Sequence, residues 1–215
     1  MEEKNILIFC AHSDDQILGP GGTVAKYANE GYNIHTYIFS HGEGSHPHLK
    51  KSVIVKMRVD EAFKADKIIK GKGVVFFGVT DGKFEESIKK KKIVSTVKKI
   101  IQEKKPVKIF THSLDDAHPD HRETNKAVIE AVDKIKSKIP VYVFDLWNPL
   151  SFQFRNHPRL AIDIKSTFEK KIMAIKCFES QSIAIIMLLW TVYLRAFIWG
   201  IRHKVGLAEV FYKVR

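Results

Sequence analysis

The feature that most constrains the fold is a regular alternation of short apolar runs with longer amphipathic runs. Six runs rich in Val, Ile and Phe are typical of β-strands: NILIFCA, YNIHTYIFS, GVVFFGV, VKIFTHS, PVYVFDLW and RLAIDI. Segments of helical periodicity separate most of them, for example at about 53–70 and from near His121. Strands that alternate with helices form a parallel sheet covered on both faces. The sequence therefore predicts a Rossmann-like three-layer α/β/α fold with a mostly parallel sheet.

The C-terminal third is predicted to add a long helical region, at about 167–204, and one more strand. The tail LAEVFYKVR is expected to form a late strand at the edge of the sheet. No internal repeat, low-complexity tract or linker divides the 215 residues, and that length suits one domain. We therefore expect a single domain over 1–215.

Each of the first four predicted strands ends in polar residues that a core does not need. The exits have the sequences AHSDD, SHGEGS, GVTDG and THSLDDAHPDH. Ligands of open parallel sheets bind outside the carboxyl ends of the strands, so these four segments are expected to line one cleft. The neighbouring carboxylates of Asp14 and Asp15 repel each other, and a bound cation would offset that repulsion.

His12, Asp15 and the pair His118/His121 are the candidate metal-binding residues. An imidazole and a carboxylate three residues apart in a tight turn can face one point, and a second strand exit can supply another imidazole. Three nitrogen and oxygen ligands with one open position suit a catalytic Zn²⁺, although another divalent metal fits the same donors. Asp14 could then act as general base toward a water molecule whose pKa the metal lowers.

Simpler interpretations of the same residues are also open. An Asp pair after a strand often caps the next helix, here the one predicted to start near Gly21–Gly22. Histidines in loops are commonly solvated. The GPGG segment lacks the spacing and the lysine of a phosphate-binding loop. The presence of HPDH at a second exit of the same sheet favours the metal site over these alternatives.

A series of segments, in order along nearly the whole chain, resembles the motifs of the LmbE-like, or PIG-L, family. The segments are AHSDDQ, SHGEG, RVDEA, GVTDG, HPDH, IDIKSTFEKKIMAIKCFESQ and GLAEVF. Members of this family are zinc-dependent N-deacetylases that act on N-acetylglucosamine units attached to diverse carriers. The resemblance implies a hydrolase with a small amino-sugar or glycoconjugate substrate.

The resemblance also implies roles for individual residues. The metal ligands would be His12, Asp15 and His121. Asp14 would be the general base, and His118 would stabilise the oxyanion as a charged hydrogen-bond donor that Asp120 keeps protonated. Arg58 and Asp81 would contact sugar hydroxyls. An ion pair with the nearby Glu61 is an equal alternative for Arg58, and a purely turn-forming role is the alternative for Asp81.

Three positions depart from the family pattern. Ser13 replaces a proline, and Gln16 replaces a glutamate, which leaves one fewer negative charge near the ligands. Asp116 stands where some members place a tyrosine that assists at the oxyanion. A tyrosine-assisted mechanism is therefore not expected here.

The formal charge of +12 raises the alternative of a basic protein that binds nucleic acid or another anion. Most of the 36 Lys and Arg residues are lysines, and many of these lie on predicted helix faces, without the interleaved aromatic residues of a nucleic-acid surface. We therefore expect no nucleic-acid partner. A homo-oligomer is expected.

The apolar stretch at 183–201 is the segment that could bring the protein to a membrane. Only Arg195 is charged within it, and a membrane span needs about 20 apolar residues. A core or interfacial helix is expected, and peripheral membrane contact through 183–201 is open; it would make the protein a membrane-surface enzyme for an acetylated glycolipid. The chain shows no secretory signal pattern, and Cys10 and Cys177 form no CxxC motif, so we expect a cytoplasmic protein with reduced cysteines.

Overall fold

In the computed structural model, which describes residues 3–46, 48–136, 138–147 and 157–215, seven strands form one sheet in the order β3-β2-β1-β4-β5-β7-β6. The strands are β1 (Asn5–Cys10), β2 (Asn33–Ile38), β3 (Val74–Phe76), β4 (Lys108–His112), β5 (Val141–Phe144), β6 (Arg159–Asp163) and β7 (Ala208–Lys213). The helices are α1 (Asp15–Leu18), α2 (Gly21–Asn29), α3 (Lys51–Ile68), α4 (Phe84–Lys90), α5 (Ile93–Lys104), α6 (Pro119–Ile135), α7 (Phe168–Ile175) and α8 (Ser182–Arg202), with a 3₁₀ turn at Glu179–Gln181.

The order of the strands places β1 at the switch point of the sheet. β1 pairs in parallel with β2 on one side and with β4 on the other, with Ile6 opposite both Ile34 and Lys108. The chain therefore builds β2 and β3 on one side of β1 and then crosses to the other side for β4 and β5. Ligands of such sheets bind in the crevice at this reversal, outside the carboxyl ends of the strands.

Two apolar cores cover the two faces of the sheet. Ile6, Ile8 and Cys10 of β1 belong to the core that includes α2, α3, α7 and α8. Leu7 and Phe9, which alternate with them, belong to the core that includes α4, α5 and α6. Burial on both faces is the reason that the strands are continuous apolar runs. The predicted three-layer α/β/α fold with a mostly parallel sheet is confirmed.

The structure corrects two expectations about the C-terminal third. β7 is not an edge strand: it lies between β5 and β6 and pairs antiparallel with both, so that β6 forms the edge. The long helical region is divided by the 3₁₀ turn between α7 and α8. The division is held by Glu61 of α3, whose carboxylate accepts hydrogen bonds from Ser180 N at 2.8 Å and Ser180 Oγ at 2.7 Å.

A buried ion pair between Lys171 of α7 and Glu209 of β7 supports the segment that follows β1. Lys171 Nζ lies 2.6 Å from Glu209 Oε1 and also donates to the carbonyls of Leu18 and Gly19, at 2.8 and 2.9 Å. The Glu209 carboxylate accepts two backbone N–H groups in the first turn of α2, at 3.0 and 2.8 Å. These charged groups satisfy helix-end backbone groups that would otherwise lack partners. They fix the α1–α2 turn.

We expect Lys171→Met to lower the free energy of unfolding by about 3–5 kcal/mol, because it leaves the Glu209 carboxylate buried without its cation. Urea unfolding measures this loss. The matched control is Lys134→Met, which removes an exposed pair with Glu130 and is expected to cost less than about 1 kcal/mol. Equal losses in the two variants would contradict the role of the buried pair.

A second prediction concerns lysines in the left-handed backbone region near helix ends. They are Lys70, Lys92, Lys105, Lys136 and Lys204. Lys136 follows α6 with φ of 54°, a conformation that a side chain disfavours and glycine adopts freely. Lys136→Gly is expected to raise the free energy of unfolding by about 0.5–1 kcal/mol. Lys134→Gly, inside the last turn of α6, should instead lower it by about 1 kcal/mol in the same urea assay. A loss in both variants would refute the explanation.

Candidate active site

The polar strand exits converge on one cleft, with a cavity volume of about 220 Å³. The lining residues are His12, Asp14 and Asp15 from the end of β1, Gly42 and Gly44 from the segment after β2, Asp81 from the segment after β3, and His118 from the segment after β4. The start of α8 closes one side with Gln181, Ala184 and Leu188. The predicted convergence of the four exits is thus what the structure shows.

The buried carboxylate of Asp15 lies at the centre of the cluster of ionisable side chains in the cleft. Its Oδ2 accepts the backbone N–H of His12 at 2.7 Å and lies 3.1 Å from His112 Nε2, and its Oδ1 lies 3.5 Å from His121 Nε2. Burial raises the pKa of this carboxyl, but His121 and His112 outweigh burial and hold the pKa well below its usual range. Asp15 is therefore an ionised oxygen donor.

His121 offers one free ring nitrogen to the same point. Neither ring nitrogen makes a well-aligned hydrogen bond among the described residues; Nδ1 lies 3.1 Å from Asp116 Oδ1, and Nε2 lies 3.5 Å from Asp15 Oδ1. Burial and the neighbouring His112 lower the pKa of His121, which favours the neutral imidazole. A carboxylate behind one nitrogen and a lone pair on the other is the usual arrangement of a metal-binding histidine. An unpartnered buried nitrogen is otherwise unfavourable.

His12, Asp15 and His121 fit a divalent metal ion. Their ligand atoms all lie within 4.8 Å of one another. A tetrahedral zinc site with bonds of about 2.1 Å has ligand atoms about 3.4 Å apart. The 3.5 Å between His121 Nε2 and Asp15 Oδ1 agrees with that spacing. The donors chosen from the sequence can therefore hold Zn²⁺ or another divalent cation.

Two further groups have metal-ligand spacing and share residues with the first. They are His112, Asp116, His121 and His12, Asp81, Asp120. Both oxygens of Asp116 already accept backbone N–H groups, from His118 at 3.0 Å and Leu146 at 2.8 Å. Asp81 Oδ2 likewise accepts the N–H of Gly44 at 3.0 Å. We therefore place the metal at the first group, toward which the unpartnered His121 Nε2 points.

Two carboxylates face the His12 ring at the mouth of this site. Its Nε2 lies 3.3 Å from Asp81 Oδ1 and 3.5 Å from Asp120 Oδ2. Burial lowers the pKa of His12, but the contacts with Asp120 and Asp81 outweigh it and raise the pKa to about 10. The two carboxylates thus stabilise a cation at this point, whether a proton on His12 or a metal ion beside it.

Asp14 faces a different partner from its neighbour. Its Oδ1 lies 3.3 Å from Arg58 Nη2, and Arg58 Nε donates to Ser13 Oγ at 3.1 Å. Gly42 has a φ of +69°, and a Cβ there would lie 2.7 Å from the guanidinium, so only glycine fits over Arg58. The Asp pair does not cap α2, because Pro20 precedes that helix. The capping interpretation is therefore wrong for α2.

Arg58 is bound to Asp14 rather than to Glu61. The Glu61 carboxylate is taken by Ser180, as described above, so the alternative ion pair between Arg58 and Glu61 is wrong. The guanidinium lines the cleft and orients the Asp14 carboxylate. Contact of Arg58 with a sugar hydroxyl stays a prediction.

His118 and Asp120 are arranged differently from the expectation. The backbone N–H of Asp120 donates to His118 Nδ1 at 3.2 Å, which makes His118 the cap of α6. The Asp120 carboxylate is turned toward His12. Burial, His121 and His12 lower the pKa of His118. Because Nδ1 must keep its lone pair to accept the bond, Asp120 does not hold His118 in the protonated state.

Sequence reasoning did not assign three supporting residues. His112 stacks on His121 with ring centroids 3.8 Å apart, and Asp116, noted only as a departure from tyrosine, orients His121. Glu43 accepts hydrogen bonds from Asp81 N at 3.2 Å and Ser40 Oγ at 3.3 Å. All three lie in the polar segments at the ends of the strands, and that position could have marked them as site candidates in the sequence.

Gln16 is not among the residues that line the cleft. Its side chain is buried, with Oε1 3.9 Å from Cys10 Sγ. The departure from glutamate therefore alters the packing behind the site rather than the donor set.

Comparison with known proteins shows the family to which the chain belongs. The profile of the family described as PIG-L, GlcNAc-PI de-N-acetylase, matches residues 7–132. The chain belongs to the PIG-L family. The matched part of this PIG-L protein runs from β1 into α6 and contains every residue predicted for the site.

Curated relatives include both a hydratase and deacetylases. The 4-oxalmesaconate hydratase of Pseudomonas putida is 27% identical over 212 residues, which cover 90% of this chain and 78% of the relative. The diacetylchitobiose deacetylase of Thermococcus kodakarensis is 25% identical over 211 residues, which cover 89% of this chain and 75% of the relative.

Solved structures show the same fold. The 4-carboxy-2-hydroxymuconate hydratase from Pseudomonas putida superposes with a TM-score of 0.83 at 23% identity, covering 99% of this chain and 96% of the other. The N,N′-diacetylchitobiose deacetylase from Pyrococcus horikoshii gives 0.81 at 22% identity, covering 99% and 84%.

We expect Asp116→Asn to weaken the binding of added Zn²⁺, used as the probe ion, about 10–100-fold, because it removes the charge that orients His121. Competition with a chromogenic chelator measures the affinity, and thermal unfolding of the metal-free protein reports any loss of folding. Asp115→Asn, at the exposed neighbouring position, is the matched control and should bind as the unmodified protein does. Unchanged zinc affinity in Asp116→Asn would contradict the assigned role.

Proposed function

We propose that this PIG-L protein is a zinc-dependent hydrolase that removes the N-acetyl group from an N-acetylglucosamine-containing sugar or glycoconjugate. The observation that carries the proposal is the group His12, Asp15 and His121, with its atoms within 4.8 Å and the Asp14 carboxylate in the same cleft. The deacetylase relatives support the substrate class. The metal identity and the acetylated amino sugar are parts of this proposal.

His12, Asp15 and His121 would hold the metal, which when bound polarises the acetyl carbonyl and lowers the pKa of a water molecule. Asp14 would take a proton from the attacking water as its oxygen bonds to the carbonyl carbon and the C=O π electrons move onto the carbonyl oxygen. Arg58 keeps the Asp14 carboxylate oriented for this transfer. Asp14 then returns the proton to the amine nitrogen as the C–N bond breaks, which yields acetate and a free amino sugar.

We assign to His118 the stabilisation of the oxyanion, the carbonyl oxygen that becomes negatively charged during the reaction. Its Nδ1 accepts the N–H of Asp120, so a neutral ring carries its proton on Nε2. That N–H can donate a hydrogen bond to the carbonyl oxygen as negative charge develops. The structure thus favours a neutral donor at this position, in place of the charged donor expected from the sequence.

We infer that the carrier attached to the sugar binds in an outer groove between α4 and α6. This groove has a volume of about 970 Å³ and shares Gly44, Asp81, His118 and Asp120 with the catalytic region. Lys83 and Lys89 line it together with Glu85, Glu86 and Glu123. Mixed charges of this kind suit a neutral, hydroxyl-rich carrier better than a polyanion.

Hydration of an unsaturated acid is a second candidate. The observation that favours it is the hydratase relative, which aligns over 90% of this chain. The same metal and general base can activate water for addition to a carbon–carbon double bond. Acetate release from N-acetylglucosamine conjugates, measured beside hydration of 4-oxalmesaconate, separates the two reactions. Hydration without acetate release would overturn the deacetylase proposal.

Asp14→Asn is expected to lower kcat/KM for acetate release by about 10²–10⁴-fold, because amide cannot take the proton. Bound zinc, measured by elemental analysis, should remain at the unmodified level, since Asp14 is not a proposed ligand. Asp60→Asn, an exposed change on α3, is the control and should retain full activity. Normal turnover in Asp14→Asn would contradict the proposed mechanism.

A further inference from the structure

One side of α8 is a continuous apolar surface, here called the α8 face. Seven large side chains on it are between 48% and 77% exposed: Ile183, Ile186, Met187, Trp190, Tyr193, Phe197 and Ile201. The opposite side, with Ile185, Leu188 and Val192, packs into the core. By length and composition the helical segment Glu179–Arg202 could cross a membrane, with 39% of its most apolar window buried in the protein. A contiguous apolar patch of this kind marks an interaction site.

The scarcity of charged side chains along α8 favours a partner helix over a bilayer. Apolar residues recur at alternating steps of four and three, at Ile183, Met187, Trp190, Leu194, Phe197 and Ile201. The average step is that of a straight helix, so these side chains stay on one side and form a continuous ridge against which another helix can pack. A helix resting on a membrane usually carries Lys and Arg along its edges. Within α8 before Arg202, the single charge is Arg195, which donates to the Asp145 carbonyl at 2.7 Å.

The size of the α8 face matches one half of a stable interface. Large and aromatic side chains bury about 150–250 Å² each, so seven of them at these exposures offer on the order of 800 Å². A standard protein–protein interface takes about 800 Å² from each partner. The face is therefore large enough for one copy of this chain to hold another.

We propose that the α8 face forms a homodimer in which two copies of α8 pack antiparallel about a two-fold axis. The midpoint of the ridge lies near Val192, so the axis places Ile183 opposite Ile201 and Met187 opposite Phe197 of the second copy. Trp190 and Leu194 then meet across the axis. A two-fold interface uses the same patch twice and closes the assembly.

Charge complementarity selects the antiparallel arrangement. The exposed Glu179 precedes α8, and the exposed Arg202 and Lys204 end it. Antiparallel packing brings Glu179 of each copy to the basic end of the other, whereas parallel packing would set like charges together. The helix dipoles are also opposed favourably in the antiparallel pair.

The dimer has a consequence for the cleft. The first turns of α8 line it with Gln181, Ala184 and Leu188. The antiparallel pair therefore brings the basic end of the second copy, with Arg202 and Lys204, to the side of the cleft mouth. The dimer itself does not depend on the proposed reaction, so its test stands apart from the deacetylase assay.

The first experiment is sedimentation velocity over a range of micromolar concentrations. The unmodified protein should have twice the 24.7 kDa mass of one chain. The double variant Trp190→Glu with Phe197→Glu should sediment as a monomer, with at least a tenfold weaker self-association. Phe63→Glu, at a similarly exposed aromatic position on α3, is the matched control and should remain dimeric.

Three outcomes would overturn the proposal. The unmodified protein is monomeric at every concentration, the double variant remains dimeric, or the monomeric protein co-sediments with phosphatidylcholine–phosphatidylserine vesicles through Trp190 and Phe197. The last result would assign the face to a membrane.

Disulfide trapping tests the orientation in a Cys177→Ser background, in which the buried Cys10 is the remaining native thiol. A mixture of Ile183→Cys and Ile201→Cys proteins should form a cross-linked dimer on mild oxidation. Ile183→Cys alone should not, because the two copies of this position lie at opposite ends of the interface. Efficient cross-linking of Ile183→Cys to itself would show parallel packing and refute the proposed arrangement.

Discussion

The buried carboxylate of Asp15 requires hydrogen-bond donors or a cation around it, and the surrounding residues are arranged to meet that requirement. An unpaired buried carboxylate is strongly unfavourable; here it accepts the backbone N–H of His12, and three imidazoles lie within 3.7 Å of it. A divalent ion between His12, Asp15 and His121 would supply the positive charge. The arrangement explains how two aspartates can follow one strand: Asp15 faces the imidazoles and Asp14 pairs with Arg58.

The same principle operates beneath the site. The pair formed by Lys171 and Glu209 is buried, and each partner also binds backbone groups at the ends of α1 and α2. Because α1 begins at Asp15, directly after Asp14, the ion pair supports the turn that carries both carboxylates. Residues 153 and 187 positions away along the chain therefore contribute to the geometry of this turn.

α8 links the cleft to the outside of the molecule. Its inner side closes the core over β5 and β7, its first turns line the cleft, and its outer side is the α8 face. Glu61 fixes the start of this helix through Ser180, next to the segment of α3 that carries Arg58. Assembly through α8 and orientation of Asp14 thus share one structural support.

The sequence by itself determined the layered fold and the candidate donors of the proposed metal site. Alternating apolar and amphipathic runs indicate the parallel sheet, and the polar exits place His12, Asp15 and the pair His118/His121 at one edge; the choice of His121 within that pair came from the family resemblance. Only the tertiary structure decided the partners: Arg58 with Asp14 at a separation of 44 residues, Glu61 with Ser180 at 119, and β7 between β5 and β6. Such pairings depend on which elements pack together in space, and that packing leaves no periodic pattern in the chain.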